Sequence, residues 1–142
     1  MGETAPERAK AFVDAVAWGE HLKVWDLLSE EGRRTVLRVG AARGMDEGLA
    51  ARLRDGTAAT GEQDEFLADL VNGLRADLAG NDLDALEAEL DPETSEPGKA
   101  RVVLLAPLPV ALNLPGLPVA SVEMAEEDGG WRVDRLIPRT TQ

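Results

Sequence analysis

The 142-residue chain has no cysteine, no tyrosine and one histidine, His21. Without cysteine there are no disulfides and no thiolate metal sites. A single histidine excludes a multi-histidine zinc or iron centre built within one chain. Without tyrosine, no phenolic hydroxyl is available to an active site. No basic and apolar leader follows Met1, so the expectation is a cytoplasmic protein without a secretory signal. One run, Val102 to Val122, carries no charge over 21 residues and is long enough to span a bilayer. Pro107, Pro109, Pro115 and Pro118 interrupt it, and each lacks the N–H that a membrane helix requires. Buried strands joined by turns are the expected outcome, with no membrane partner.

What is present suits one soluble α+β domain over residues 1–142, a length that buries roughly two-thirds of the unfolded surface. The net charge of −12 is unevenly placed. Between Glu62 and Glu96 stand twelve acidic residues against one base, Arg75. Such a surface repels phosphate backbones, so no nucleic-acid partner is expected. A solvated helix face accounts for these acids; a site for a basic partner is the rarer alternative. Arginine outnumbers lysine twelve to three, an association of GC-rich bacterial coding.

Helix signals fill the first two-thirds. Thr4-Ala5-Pro6-Glu7 has the form of a capping box with proline in the first turn. Ala9, Phe12, Val13, Val16 and Ala17 then recur at helical spacing up to Gly19. A short second helix is expected to turn Leu22, Trp25 and Leu28 inward and Lys23 and Asp26 outward. Ser29-Glu30-Glu31 reads as a further N-cap with acids in the first turn. Leu49 to Leu53 suits a short helix, and 55–61 a loop. Asp64 is expected to cap the helix carrying Phe66, Leu67, Leu70, Val71, Leu74 and Leu78, with Gly80-Asn81 ending it. Leu83 to Leu90 fits a helix by propensity and a half-exposed strand by alternation; helix is the preferred reading.

From Ala100 the pattern changes. Arg101 to Ala106, Val119 to Ala125 and Trp131 to Ile137 read as strands, and Asp128-Gly129-Gly130 as a hairpin turn between the last two. The proline-rich 107–118 link, with a short edge piece at 110–113, belongs at a sheet edge or rim.

The helix Ala9-Lys10-Ala11-Phe12-Val13-Asp14-Ala15-Val16, the segments Trp18-Gly19-Glu20 and Val24-Trp25-Asp26-Leu27-Leu28, and the closing Asp128-Gly129-Gly130-Trp131-Arg132-Val133-Asp134 resemble the NTF2-like (SnoaL-like, cystatin-related) α+β cone superfamily. That resemblance implies N-terminal helices packed on a curved antiparallel C-terminal sheet, an apolar cavity open at one end, and sheet-to-sheet homodimers. The scaffold hosts isomerases, dehydratases, cyclases and plain binding proteins, so fold alone does not assign an activity.

Enzymes of this type place an acid/base pair, and often a tyrosine, in the cavity; the missing tyrosine weighs against catalysis here. His21 is the one side chain with an unperturbed pKa near neutrality, and Asp134 in the last strand is its candidate partner. A surface histidine and a solvated aspartate are the commoner cases, as they are for Asp14 and Asp26. Trp18, Trp25, Phe66, Met124 and Trp131 are candidates to line a pocket for a small apolar ligand, although residues of this kind are more often core. The Asn81-Asp82-Leu83-Asp84 stretch is not a calcium loop, because counting from Asp82 puts Leu86 and Glu87 at the fifth and sixth positions. Gly40 to Gly44 lacks the lysine of a phosphate loop. No cofactor is expected. The function read from sequence is a non-catalytic ligand-binding or dimeric interaction module, with a cavity enzyme using His21 and an aspartate as the alternative.

Overall fold

The computed structural model describes residues 4–42, 44–78, 83–91, 97–107, 116–127 and 129–138. Five helices come first: α1 (Ala5–Trp18), α2 (His21–Leu27), α3 (Glu30–Ala42), α4 (Glu47–Asp55) and α5 (Thr60–Asp77). A 3-10 turn, Leu83–Ala85, leads into four strands, β1 (Glu87–Leu90), β2 (Lys99–Ala106), β3 (Leu117–Glu127) and β4 (Gly130–Pro138). They form an open sheet of order β1-β2-β3-β4 with every neighbour antiparallel. The α+β layout follows the sequence reading. No helix among the described residues is long and apolar enough to cross a membrane. The described parts of the uncharged run lie in β2 and β3.

Local signals start α1 where expected. Thr4 is the N-cap; its hydroxyl accepts from the Glu7 N–H at 3.3 Å and donates to the Glu7 carboxylate at 3.0 Å. Gly19 ends the helix in the left-handed region at φ 71°, conformational space that glycine enters without a Cβ clash. The stripe Ala9, Phe12, Val13 and Val16 is buried against Val102, Leu104, Val122 and Met124 in one core cluster. Removing each of the larger side chains from water is worth roughly 1.5–3 kcal/mol.

Helix α2 departs from the expected orientation. Val24 and Leu27 face the core, whereas Leu22 is 52 % exposed. The helix stops at Leu27, and Leu28 reaches the core because it is already extended, bridging to Val133 of β4. Counting Leu28 as helical therefore pointed the wrong stripe inward. Helix α5 begins at Thr60, earlier than Asp64. Glu62 reaches back to the Ala59 N–H at 3.2 Å, which ties down the first turn and leaves Asp64 inside the helix. The expected Gly80-Asn81 cap lies outside the described residues.

The preferred helix over 83–90 is replaced by the 3-10 turn and β1. Ala88 and Leu90 stand opposite Leu104 and Val102. The open edge of β2 supplies backbone partners that local propensity does not weigh. Pro118, expected at an edge or rim, stands in β3 opposite Leu105, beside a register irregularity at Leu104/Leu105 and beyond the last β4 pair, Ala120 with Pro138. The 110–113 edge piece lies outside the described residues. The last hairpin pairs Glu127 with Gly130, with Gly129 at φ 80°.

Ser29 ties the two halves together. Its N–H donates to the Val133 carbonyl at 2.8 Å, and its hydroxyl donates to Asp134 while accepting from the Gly32 N–H at 2.9 Å. The N-cap of α3 is thus also a bond to β4. Gly32 permits the approach, because a Cβ there would stand 2.5 Å from the Val133 oxygen.

Gly32→Ala is therefore expected to lower stability by about 2 kcal/mol or more through overpacking against fixed backbone. Ser29→Ala should cost about 1–2 kcal/mol through the lost cap. By contrast Gly73→Ala, in α5 with nothing within 4 Å of the added Cβ, should stabilise by roughly 0.5–1 kcal/mol. Urea midpoints of the three variants rank these effects, and a wild-type midpoint for Gly32→Ala would contradict the junction.

Candidate functional site

The two residues nominated for proton transfer have separate partners. His21, the first residue of α2, places Nε2 3.2 Å from the Asp64 carboxylate on α5, with both side chains partly open to solvent. Asp134 belongs to the β4 junction, where one oxygen accepts from Ser29 and the other lies 3.2 Å from Lys99 Nζ. Its side chain is 15 % exposed. A serine, lysine and aspartate in contact would suit nucleophilic chemistry, but Ser29 is wholly inaccessible and its hydroxyl already caps α3.

The five nominated pocket residues are dispersed. Met124 is packed in the core and Trp131 lies half-buried against it. Trp18 is 71 % exposed at the end of α1. Only Trp25 and Phe66 meet, edge to face with ring centroids 5.9 Å apart, joining α2 to α5. Each of them borders a cleft, Phe66 one among the helices and Trp25 one between the helices and the last two strands.

The first cleft, about 630 Å³, opens between α3, α4 and α5. Val36, Met45, Leu49, Phe66 and Leu70 give it an apolar lining, and Glu62, Glu65 and Asp69 bring carboxylates to it. Arg52 takes up Glu62 at 2.6 Å. Glu65 and Asp69 make no ion pair among the described residues. The i, i+4 spacing of Glu65 and Asp69 on α5 sets both on the face that carries Phe66 and Leu70. Sequence reading found Phe66 and counted the acids as solvated surface; Val36, Met45, Leu49 and Leu70 were missed as lining, because a helix stripe does not say which neighbour leaves it uncovered.

The second cleft, about 640 Å³, lies where the end of α2, the start of α3, the end of α4 and β4 converge. Trp25, Leu28, Leu37 and Leu53 line it together with four arginines, Arg33, Arg34, Arg54 and Arg132. Arg34 pairs with Glu30 at 2.8 Å and Arg54 with Asp55 at 3.4 Å. Arg33 donates Nε and Nη2 to the Trp25 carbonyl at 3.1 and 3.0 Å and lies over the Trp25 ring, 5.1 Å from its centroid. Arg132 donates Nη1 to the Asp26 carbonyl. Both guanidinium groups thus sit on the C-terminal carbonyls of α2, where the helix dipole favours positive charge.

Among the described residues no group of three or more histidine, cysteine, aspartate or glutamate side chains could hold a metal ion. No family model, curated protein or solved structure matches this chain.

Glu62 has the one carboxylate pKa clearly displaced among the described residues. The Arg52 guanidinium and then the Ala59 N–H hold it below the ordinary value, and the same pairing raises Arg52. A depressed carboxylate pKa contributes stability that is present above the unfolded pKa and lost as pH falls through the folded one. Wild type should therefore lose more stability than Glu62→Gln between pH 7 and pH 3, with the difference small and reduced by salt because the pair is exposed. Urea midpoints across that range measure it; parallel curves would remove the pair from the stability account.

Proposed function

We propose that the chain is a non-catalytic, NTF2-like binding domain whose α3–α4–α5 cleft takes a small molecule with an apolar body and a cationic group. The observation that carries this reading is the pairing, in one cleft, of an apolar lining with the unpaired Glu65 and Asp69 carboxylates. A cavity of several hundred Å³ lined mainly by apolar side chains with a few polar groups is the usual form of a small-molecule site. The apolar lining supplies affinity for the body and the carboxylates orient a cation; a neutral ligand forfeits the second contribution and an anionic one is repelled by it. Catalysis by His21 with Asp134 has less support, since their partners are Asp64 in one case and Ser29 with Lys99 in the other.

The probe 4-phenylbutylamine, an ammonium ion at pH 7, tests the reading against its neutral analogue 4-phenylbutan-1-ol by calorimetry and tryptophan fluorescence, with Trp25 reporting through Phe66. The amine should bind more tightly, and Glu65→Gln with Asp69→Asn should remove about fivefold to tenfold of its affinity, the scale of one to two weakly screened charge contacts. Equal binding of amine and alcohol, or no effect of the double substitution, would sink the assignment. His21→Ala is expected to leave binding unchanged.

A homodimer through the outer face of the sheet is a second element of the proposal. There Arg101, Glu123 and Arg135 form a cross-strand row, with Glu123 3.4 Å from Arg135. Val103, Ser121 and Ile137 form the next row, and Ile137 is 37 % exposed. A row carrying both charge signs beside an apolar row is self-complementary about a two-fold axis. Sedimentation velocity should show a dimer in wild type and a monomer in Val103→Lys/Ile137→Lys; a wild-type monomer at high micromolar concentration would refute this part alone.

A further inference from the structure

We infer that the second cleft, between the end of α2 and β4, is a binding site for a small organic oxyanion, a carboxylate or phosphate group on an apolar body, held by Arg33 and Arg132. Charge accounting within the cleft leads there. Glu30 is taken up by Arg34, and Asp55 by Arg54. Glu127 accepts from the Glu30 N–H at 3.0 Å, at the first turn of α3. The carboxylates of the lining are thus all engaged, and so are two of its four arginines. Arg33 and Arg132 make no ion pair among the described residues; each is fastened to a backbone carbonyl, on the adjacent residues Trp25 and Asp26.

In a chain of net charge −12, a lining of four arginines against three carboxylates is a local inversion of sign, with Glu127 met by a backbone N–H and by no arginine among the described residues. The carbonyl bonds use Nε and Nη2 of Arg33 and Nη1 of Arg132. The Arg132 Nε is buried with no hydrogen-bond partner. A buried donor left unsatisfied is unfavourable, so the Arg132 head carries hydrogen-bonding capacity that the protein itself does not use. Guanidinium donors in a fixed plane suit the two oxygens of a carboxylate or phosphate. The anchoring carbonyls and the Trp25 ring hold both heads in place before a ligand arrives, so little side-chain entropy is lost on binding. Leu28, Leu37 and Leu53 offer the apolar body its contact. This site shares no charged residue with the α3–α4–α5 cleft, so either assignment stands without the other.

Phenylacetate and phenyl phosphate are the organic probes, with phenylacetamide as the neutral analogue and inorganic phosphate as the bare anion. The ¹⁵N–¹H signals of the arginine Nε groups in the wild-type chain give a readout independent of any variant. Both organic anions should shift the Arg33 and Arg132 signals, and phenylacetamide should bind about tenfold more weakly or not at all, as expected for loss of a charge-assisted bond. A stronger response to phenyl phosphate than to phenylacetate identifies phosphate as the preferred group, and the reverse identifies carboxylate. Arg33→Lys and Arg132→Lys keep the charge but not the planar fork and should weaken binding several-fold. Arg34→Gln and Arg54→Gln should change it little. Unmoved Arg33 and Arg132 signals at saturating probe, an equal response to phenylacetamide, or equal losses from all four substitutions would overturn the inference. Shifts produced by inorganic phosphate alone, with no response to the organic anions, would also overturn it.

Discussion

The helical layer and the sheet of this chain meet through a shared backbone junction as well as through packing. Leu28 leaves helix geometry to bridge Val133, and Ser29 then binds both the Val133 carbonyl and the Asp134 side chain. One hydroxyl serves at once as the N-cap of α3 and as a link to β4. Gly32 lies one turn on and leaves room for the strand's carbonyls. The direction of α3, and with it the walls of both clefts, follows from this junction. Asp134 has its role here, as an acceptor that fixes Ser29, with Lys99 at its other oxygen.

Three arginines of this acidic chain hold helix ends. Arg75, the one base among the acids of 62–96, donates from α5 to the Val16 and Ala17 carbonyls at the end of α1, at 2.9 and 3.0 Å. Arg33 and Arg132 do the same at the end of α2. Helix carbonyls without intrahelical partners carry partial negative charge, and a guanidinium satisfies them while tying in a second element. The same economy separates the two clefts chemically. Where arginine has been drawn to carbonyls on α2, a positive pair faces the cleft; on α5, where Arg52 engages Glu62 alone, Glu65 and Asp69 are left as the unmatched charges.

The proposed ligand chemistry thus rests on which charges the fold neutralises rather than on any recognisable motif. Counting acids and bases in sequence predicts a solvated negative face, and for most of the 62–96 window that remains sufficient. It does not reveal that Phe66, Glu65 and Asp69 border one hollow, nor that residues as distant as Arg33 and Arg132 converge on adjacent carbonyls. The nominated pocket residues show the same limit: Trp25 and Phe66 were legible as large apolar side chains on helices, but Trp18, at the end of the same kind of stripe, faces solvent.

The sequence by itself determined the features governed by a few neighbouring residues: the Thr4 and Ser29 caps, the Gly19 stop and the glycine-containing final hairpin. These depend on backbone groups within one turn of the residue that satisfies them, so spacing is enough to read them. Tertiary structure alone decided that Glu87–Leu90 is a strand, that Leu22 faces out, and that Asp64 lies beside His21. For the strand and for Leu22 a partner remote in the chain outweighed a local preference worth a fraction of a kcal/mol, whereas α5 starts early through the local Glu62 contact with the Ala59 N–H. The positions of both clefts and the unpaired charges within them belong to that second group, because they are set by how whole helices lie against one another and against β4.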